Sequence, residues 1–120
     1  MMLMKILFIV NDPPYGTERV YNALRLAQAF SKKAPSMHVT LFFMADAVLA
    51  AKAQQKTPSG YYNIELMLKR LIGSNESVLL CGACMDARGI GDAELMDGVR
   101  RSTMEELANA ALEAEKILVF

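Results

Sequence analysis

Met4-Lys5-Ile6-Leu7-Phe8-Ile9-Val10, followed at once by Asn11-Asp12-Pro13-Pro14, is the stretch that decides the fold. After Lys5 it is continuously apolar, and it stops on turn residues. A membrane-spanning helix needs about 20 apolar residues, so a run this short reads as a strand buried on both faces. It also lacks the basic n-region, longer apolar centre and small-residue cleavage site of an export signal. His38 to Met44 (His-Val-Thr-Leu-Phe-Phe-Met), Ser77 to Cys81 and Lys116 to Phe120 repeat the pattern, and Val99 marks a short fourth strand.

Helical spacing fills the intervals. A first helix is expected over Glu18 to Lys33, with Val20, Ala23, Leu24, Ala27 and Ala34 along one face and Lys32-Lys33 in a last turn that suits the macrodipole. A second is expected over Ala45 to Gln54, with Asp46 as its N-cap, before a polar loop through Lys56-Thr57-Pro58-Ser59-Gly60. Asn63 has the position of an N-cap for a third helix, with Ile64, Met67, Leu68 and Leu71 on one stripe and Gly73 closing it. Gly82 to Gly91 reads as a turn plus helix. Ser102-Thr103-Met104-Glu105 has the form of a capping box, and the helix it starts turns Met104, Leu107, Ala108, Ala111 and Leu112 to one side. Strands alternating with helices predict an α/β fold, a single three-layer α/β/α sandwich over residues 1–120 with a mostly parallel sheet of about five strands. The periodicity leaves the order of those strands open.

Composition narrows the function classes. The chain has 120 residues, 53% hydrophobic and 22% charged, which suits one domain with a filled core. With 13 Lys and Arg against 13 Asp and Glu, it carries no electrostatic footprint for nucleic acid or anionic lipid, and little self-repulsion to oppose association of subunits. Nucleic acid and membrane are therefore not expected as partners. The nine Met read as core filler or interface surface. Two cysteines three apart make a poor disulfide framework for a secreted protein, which points to a reducing cytoplasm and to a pair that is reactive or metal-binding rather than structural.

In an open parallel sheet, ligands bind beyond the carboxyl ends of the strands. Three loops leave such ends: Asn11 to Thr17, Ala45-Asp46, and Cys81-Gly82-Ala83-Cys84-Met85-Asp86-Ala87-Arg88-Gly89. One rim would then carry Asn11, Tyr15 and Asp46 together with the cysteines. Cys81 stands out, because it ends an apolar strand where a helix starts, and unpaired amides with the positive end of a helix dipole would stabilise its thiolate. Gly82 permits close approach of a partner, Cys84 lies within disulfide reach, and Arg88 adds positive potential. The expectation is an exposed Cys81 that ionises more readily than a free thiol. The bland alternative is a small buried hydrophobe.

Spacing removes several mechanisms. Six residues separate Cys81 from Arg88 and three separate Cys84 from it, so a Cys-x5-Arg phosphatase loop does not fit. A structural zinc needs four ligands, and the only His, His38, begins a strand at the opposite edge, so neither a metal nor a Cys–His hydrolase is expected. The Cys-x-x-Cys motif matches dithiol exchange, but no Trp precedes it and none of the four prolines follows it. The loop after the first strand has neither a P-loop nor a Gly-x-Gly-x-x-Gly pattern, and no cofactor is expected.

Asn11-Asp12-Pro13-Pro14-Tyr15-Gly16 and Cys81 to Ile90, with Phe43 to Val48, Gly60 to Ile64, Asp97-Gly98-Val99 and Ala114 to Phe120, resemble the DsrE/DsrF-like family, in particular its small stand-alone YchN-like members. The resemblance implies a three-layer α/β/α sandwich and handling of sulfane sulfur, with a persulfide carried on Cys81 upstream of the Arg88-Gly89 pair. It implies a homotrimer or homohexamer, and donor and acceptor proteins for the sulfur. Cys84 departs from the single cysteine typical of the relay subunits, and is read as a resolving or second thiol. Two alternatives stay open: a non-catalytic oligomeric module holding a small ligand around Asn11, Tyr15 and Asp46, and a Cys81–Cys84 dithiol redox protein.

Overall fold

The computed structural model describes residues 4–74 and 76–120. Five strands, β1 (Lys5–Val10), β2 (His38–Phe43), β3 (Glu76–Cys81), β4 (Val99–Ser102) and β5 (Lys116–Val119), pair in the order β4-β3-β2-β1-β5, every pair parallel. Among the described residues four α-helices lie in the connections: α1 (Arg19–Lys33), α2 (Ile64–Ile72), α3 (Gly82–Ala87) and α4 (Met104–Glu113). The fold is the expected α/β sandwich, and all strand exits share one rim.

Parallel strands need crossovers, and right-handed crossovers stepping one way across a sheet lie on one face while a crossover stepping back lies on the other. The chain steps from β1 to β2 to β3, and α1 and α2 accordingly cover the face that carries Ile6, Phe8 and Val10. Phe30 of α1 meets Phe8 edge-on at 6.1 Å, and Phe120 stacks on Phe8 at 5.8 Å. Removing a side chain so enclosed costs about 3–5 kcal/mol. The return from β4 to β5 carries α4 to the opposite face, where Leu7, Thr40, Leu79 and Arg100 face it across a cleft of about 320 Å3.

That second face is thinner than the apolar strands imply. Lys5, Thr40 and Ser77 are half-buried, and His38, also half-buried, meets Ser77 Oγ at 3.1 Å through Nε2. In α4 only Leu107 is buried; Met104 (60% exposed), Ala108 and Leu112 (86% exposed) face solvent, so most of the apolar side read from the spacing is uncovered. Ile117 and Val119 of the edge strand β5 are exposed as well. One helix is too narrow to cover five strands. No helix among the described residues is long and apolar enough to cross a membrane.

Asn63 caps α2 through Leu66 N–H at 3.1 Å, as its position predicts. The helix expected over Ala45 to Gln54 is instead a 3₁₀ segment, Ala45–Ala51, because the chain beyond it is captured by tertiary contacts: Lys52 bridges Leu95, Ala53 N–H donates to Glu94 O, and Met96 N–H donates to Ala51 O. Asp46 lies in its first turn and does not cap it; Met44 is the cap residue. The cap of α4 is Thr103, bonded to Glu106 N–H at 3.2 Å, one residue later than the expected box. The Glu106 carboxylate turns away to Arg100 and Ser102.

Candidate functional site

β3 is buried along nearly its whole length and delivers Cys81 to the carboxyl rim. There the chain turns directly into α3, with Cys81 as the N-cap residue and its Sγ accepting Cys84 N–H at 3.3 Å. α3 is six residues long and ends in a Schellman arrangement: Gly89 is left-handed (φ 68°), its N–H donates to Asp86 O, and Ile90 N–H reaches back to Met85 O. Met85 and Ile90 are both buried and close the apolar side of the turn. The sulfur pair is thereby held between two fixed points, the end of β3 and this cap.

Cys81 departs from the expected exposed, readily ionised thiol. It is 7% exposed, and burial pushes its pKa up; the neighbouring Cys84 thiol pushes the same way, while the Cys84 and Ala83 amides pull back. Desolvation disfavours the anion, and a helix of six residues supplies too small a dipole to reverse that. Cys84, one turn on, is half-buried and thus the more accessible sulfur; both cysteines are free.

The charges around the pair are neutralised. Arg88 Nε meets Asp46 Oδ1 at 2.9 Å, and its Nη1 donates to Cys84 O at 3.1 Å. Asp46 is brought there by Ala45, which adopts a left-handed φ of 51° as the chain leaves β2. Arg88 therefore braces the end of α3 instead of adding free positive potential. Gly82 does permit a close approach, but by the chain's own Arg101: a Cβ on Gly82 would lie 2.9 Å from Arg101 Cγ. Arg101 donates to Gly82 O at 3.1 Å and pairs with Asp86 and Asp92 at 3.0 Å each. Sequence reasoning missed Arg101, because its place depends on β4 lying beside β3.

The first loop stands apart. Asn11 N–H donates to Phe120 O at 2.8 Å, which ties the end of β1 to the last residue of the chain. Tyr15 is a strut: its hydroxyl donates to Gln55 Oε1 and accepts Ile64 N–H at 3.1 Å, and its ring stacks on Tyr62 at 5.7 Å. Asn11, Tyr15 and Asp46 line neither of the two clefts described for this chain. The rim thus gathers Cys81, Gly82, Cys84, Arg88 and Asp46, and leaves Asn11 and Tyr15 two strands away. Among the described residues, no group of three His, Cys, Asp or Glu could hold a metal ion.

A sequence model described as the DsrE/DsrF-like family matches residues 4–120. Protein YchN of Escherichia coli (strain K12) is 43% identical over 98% of this chain and 100% of its own length. The crystal structure of the ychN protein from E. coli superposes with a TM-score of 0.93, covering 98% of this chain and 100% of that one. More distantly, a protein named sulfurtransferase TusD from Cronobacter sakazakii is 26% identical over 98% of this chain and 100% of its own length.

Proposed function

Because the chain belongs to the DsrE/DsrF-like family, which it shares with relatives named as sulfurtransferases, we propose that it is a sulfur carrier in which Cys81 accepts and passes on sulfane sulfur. The observation that carries this reading is the contact of the Cys84 amide with Cys81 Sγ at the mouth of β3. That N–H favours sulfur as an anion, the form in which it attacks and in which it departs. Slight exposure suits a carrier too. An S–S bond of about 2.05 Å would set the outer sulfur of a persulfide beyond the nearly closed position of Sγ, toward a partner.

In the first step, the Cys81 thiolate attacks the outer sulfur of a donor protein's R–S–SH. The Cys81 Sγ–S bond forms, the donor S–S bond breaks and R–S⁻ leaves, with no net oxidation. An acceptor protein's thiolate then attacks the terminal sulfur of Cys81–S–SH and regenerates the Cys81 thiolate. If Cys84 intervenes as a thiolate, it attacks Cys81 Sγ and expels HS⁻; the resulting disulfide needs a cellular dithiol to reset it. The raised pKa of the resting thiol slows the first step at neutral pH unless the donor complex or a neighbouring subunit alters its surroundings.

The assembly we propose is a homotrimer or homohexamer in a reducing cytoplasm. Support for self-association comes from the exposed Met104 and Leu112 of α4 and the exposed Ile117 and Val119 of β5. Loading with a low-molecular-weight persulfide followed by peptide mass spectrometry tests the chemistry. The expected result is a gain of one sulfur atom on the Cys81 peptide, lost in Cys81→Ser and longer-lived in Cys84→Ser. Loading of Cys81→Ser at the wild-type rate would move the role off Cys81, and cycling between dithiol and disulfide with no persulfide would favour a redox protein.

A further inference from the structure

α1 and α2 lie side by side on one face of the sheet and leave a half-open cleft of about 680 Å3 between them, away from the cysteines. The chain has four tyrosines, and all meet here: Tyr21, Tyr61 and Tyr62 line the cleft, and Tyr15 backs it by stacking on Tyr62. Tyr62 is also stacked on Tyr21 at 4.3 Å, and the Arg25 guanidinium sits over the Tyr21 ring at 5.4 Å. The faces of those inner rings are taken. Tyr61, 72% exposed at the edge, is the ring left with an open face.

The lining is charged with one sign only. Arg25 and Lys32, two turns apart on α1, and Arg70 of α2 all line the cleft, and no carboxylate does. Elsewhere the arginines are matched: Arg19, Arg88, Arg100 and Arg101 each pair with an acid. Among the described residues Arg25 and Arg70 have no such pair, and both lie in this cleft. Lys32 and Arg70 sit in last turns, where a cation offsets the helix dipole. Arg25 is in the middle of α1, where no dipole calls for it. In a chain of zero formal net charge, this is a local excess that an anion would complement.

Size selects the kind of anion. The volume lies in the range of about 300–1,000 Å3 usual for small-molecule sites. α2 has nine residues, so its wall is about 13 Å long, too short to seat an extended acidic peptide. We propose that this cleft binds a small organic phosphate carrying a flat ring, of the nucleoside monophosphate class. Tyr61 stacks on the ring, and Arg25, Lys32 and Arg70 hold the phosphate. Guanidinium and ammonium groups together suit a dianion better than any one of them alone.

Calorimetric titration of the full chain in its native assembly, at low salt, tests this with AMP, ribose 5-phosphate, adenosine, inorganic phosphate and a hexaglutamate peptide as probes. AMP is expected to bind at least tenfold more tightly than adenosine or ribose 5-phosphate. Arg25→Gln with Arg70→Gln is expected to weaken AMP at least tenfold and leave adenosine unchanged. Tyr61→Ala, at an exposed site that does not threaten folding, is expected to weaken AMP and adenosine alike. AMP binding no tighter than inorganic phosphate, binding indifferent to all three substitutions, or tighter binding of hexaglutamate would each overturn the proposal. The same titration of Cys81→Ser is expected to match wild type, so its outcome is independent of the sulfur-carrier reading.

Discussion

At Glu76 a carboxylate begins β3 on the face covered by α1, buried, with Oε2 lacking a hydrogen-bond partner among the described residues. Burial pushes its pKa up from 4.5 to about 7. Its hydrogen-bond partner among the described residues is Ser31, whose single hydroxyl proton is within reach of both Glu76 Oε1 and Ala27 O and can serve one at a time. A protonated Glu76 can instead donate to Ser31 Oγ, which leaves the serine proton for Ala27 O. Between pH 4.5 and about 7 the folded state thus keeps a proton that the unfolded chain has released, so stability present at low pH is lost as pH rises through that window. Thermal melts should show the wild-type Tm falling from pH 5 to pH 8, and Glu76→Gln should flatten that slope. Glu106 works in the opposite sense: Arg100 and then Ser102 hold its pKa down to about 2, so its contribution is lost as pH falls below 4.5. Gly82→Ala, which sets a Cβ against Arg101, should cost about 1–3 kcal/mol by urea denaturation.

Elements show where local rules win and where they lose. Asn63 is bonded twice, accepting Leu66 N–H and donating to Gln55 O at 3.1 Å. Asn63→Ala should therefore lower stability by about 1–2 kcal/mol, read as a shift of the urea midpoint at unchanged slope. That cap was legible because it involves four consecutive residues. The 3₁₀ segment after β2 was not legible, since the bridge from Lys52 to Leu95 that ends it joins parts of the chain remote in sequence. Nor was the exposure of the apolar side of α4: spacing identifies a stripe and says nothing about what covers it.

For the whole molecule, that stripe is the apolar surface on which the proposed self-association can be tested. Leu112 is 86% exposed, and Met104 60%, on a helix that only partly covers its sheet. If copies of the chain meet there, light scattering should find wild type at a multiple of 13.3 kDa, and Leu112→Glu should shift the mass toward the monomer with far-UV circular dichroism unchanged. An unchanged mass would place the subunit contact elsewhere.

Strand positions, the α/β class, the parallel sense and the presence of two sulfurs at a strand end were all contained in the order of residues, because each depends on period, run length and neighbours a few positions away. Sheet order, the pairing of Arg88 with Asp46, the placement of Arg101 over Gly82 and the depth of Cys81 were settled only in three dimensions. The reason is the same in each case. Burial and charge compensation arise between segments far apart along the chain, and the energy of a thiol or carboxyl group depends on which groups those contacts bring beside it.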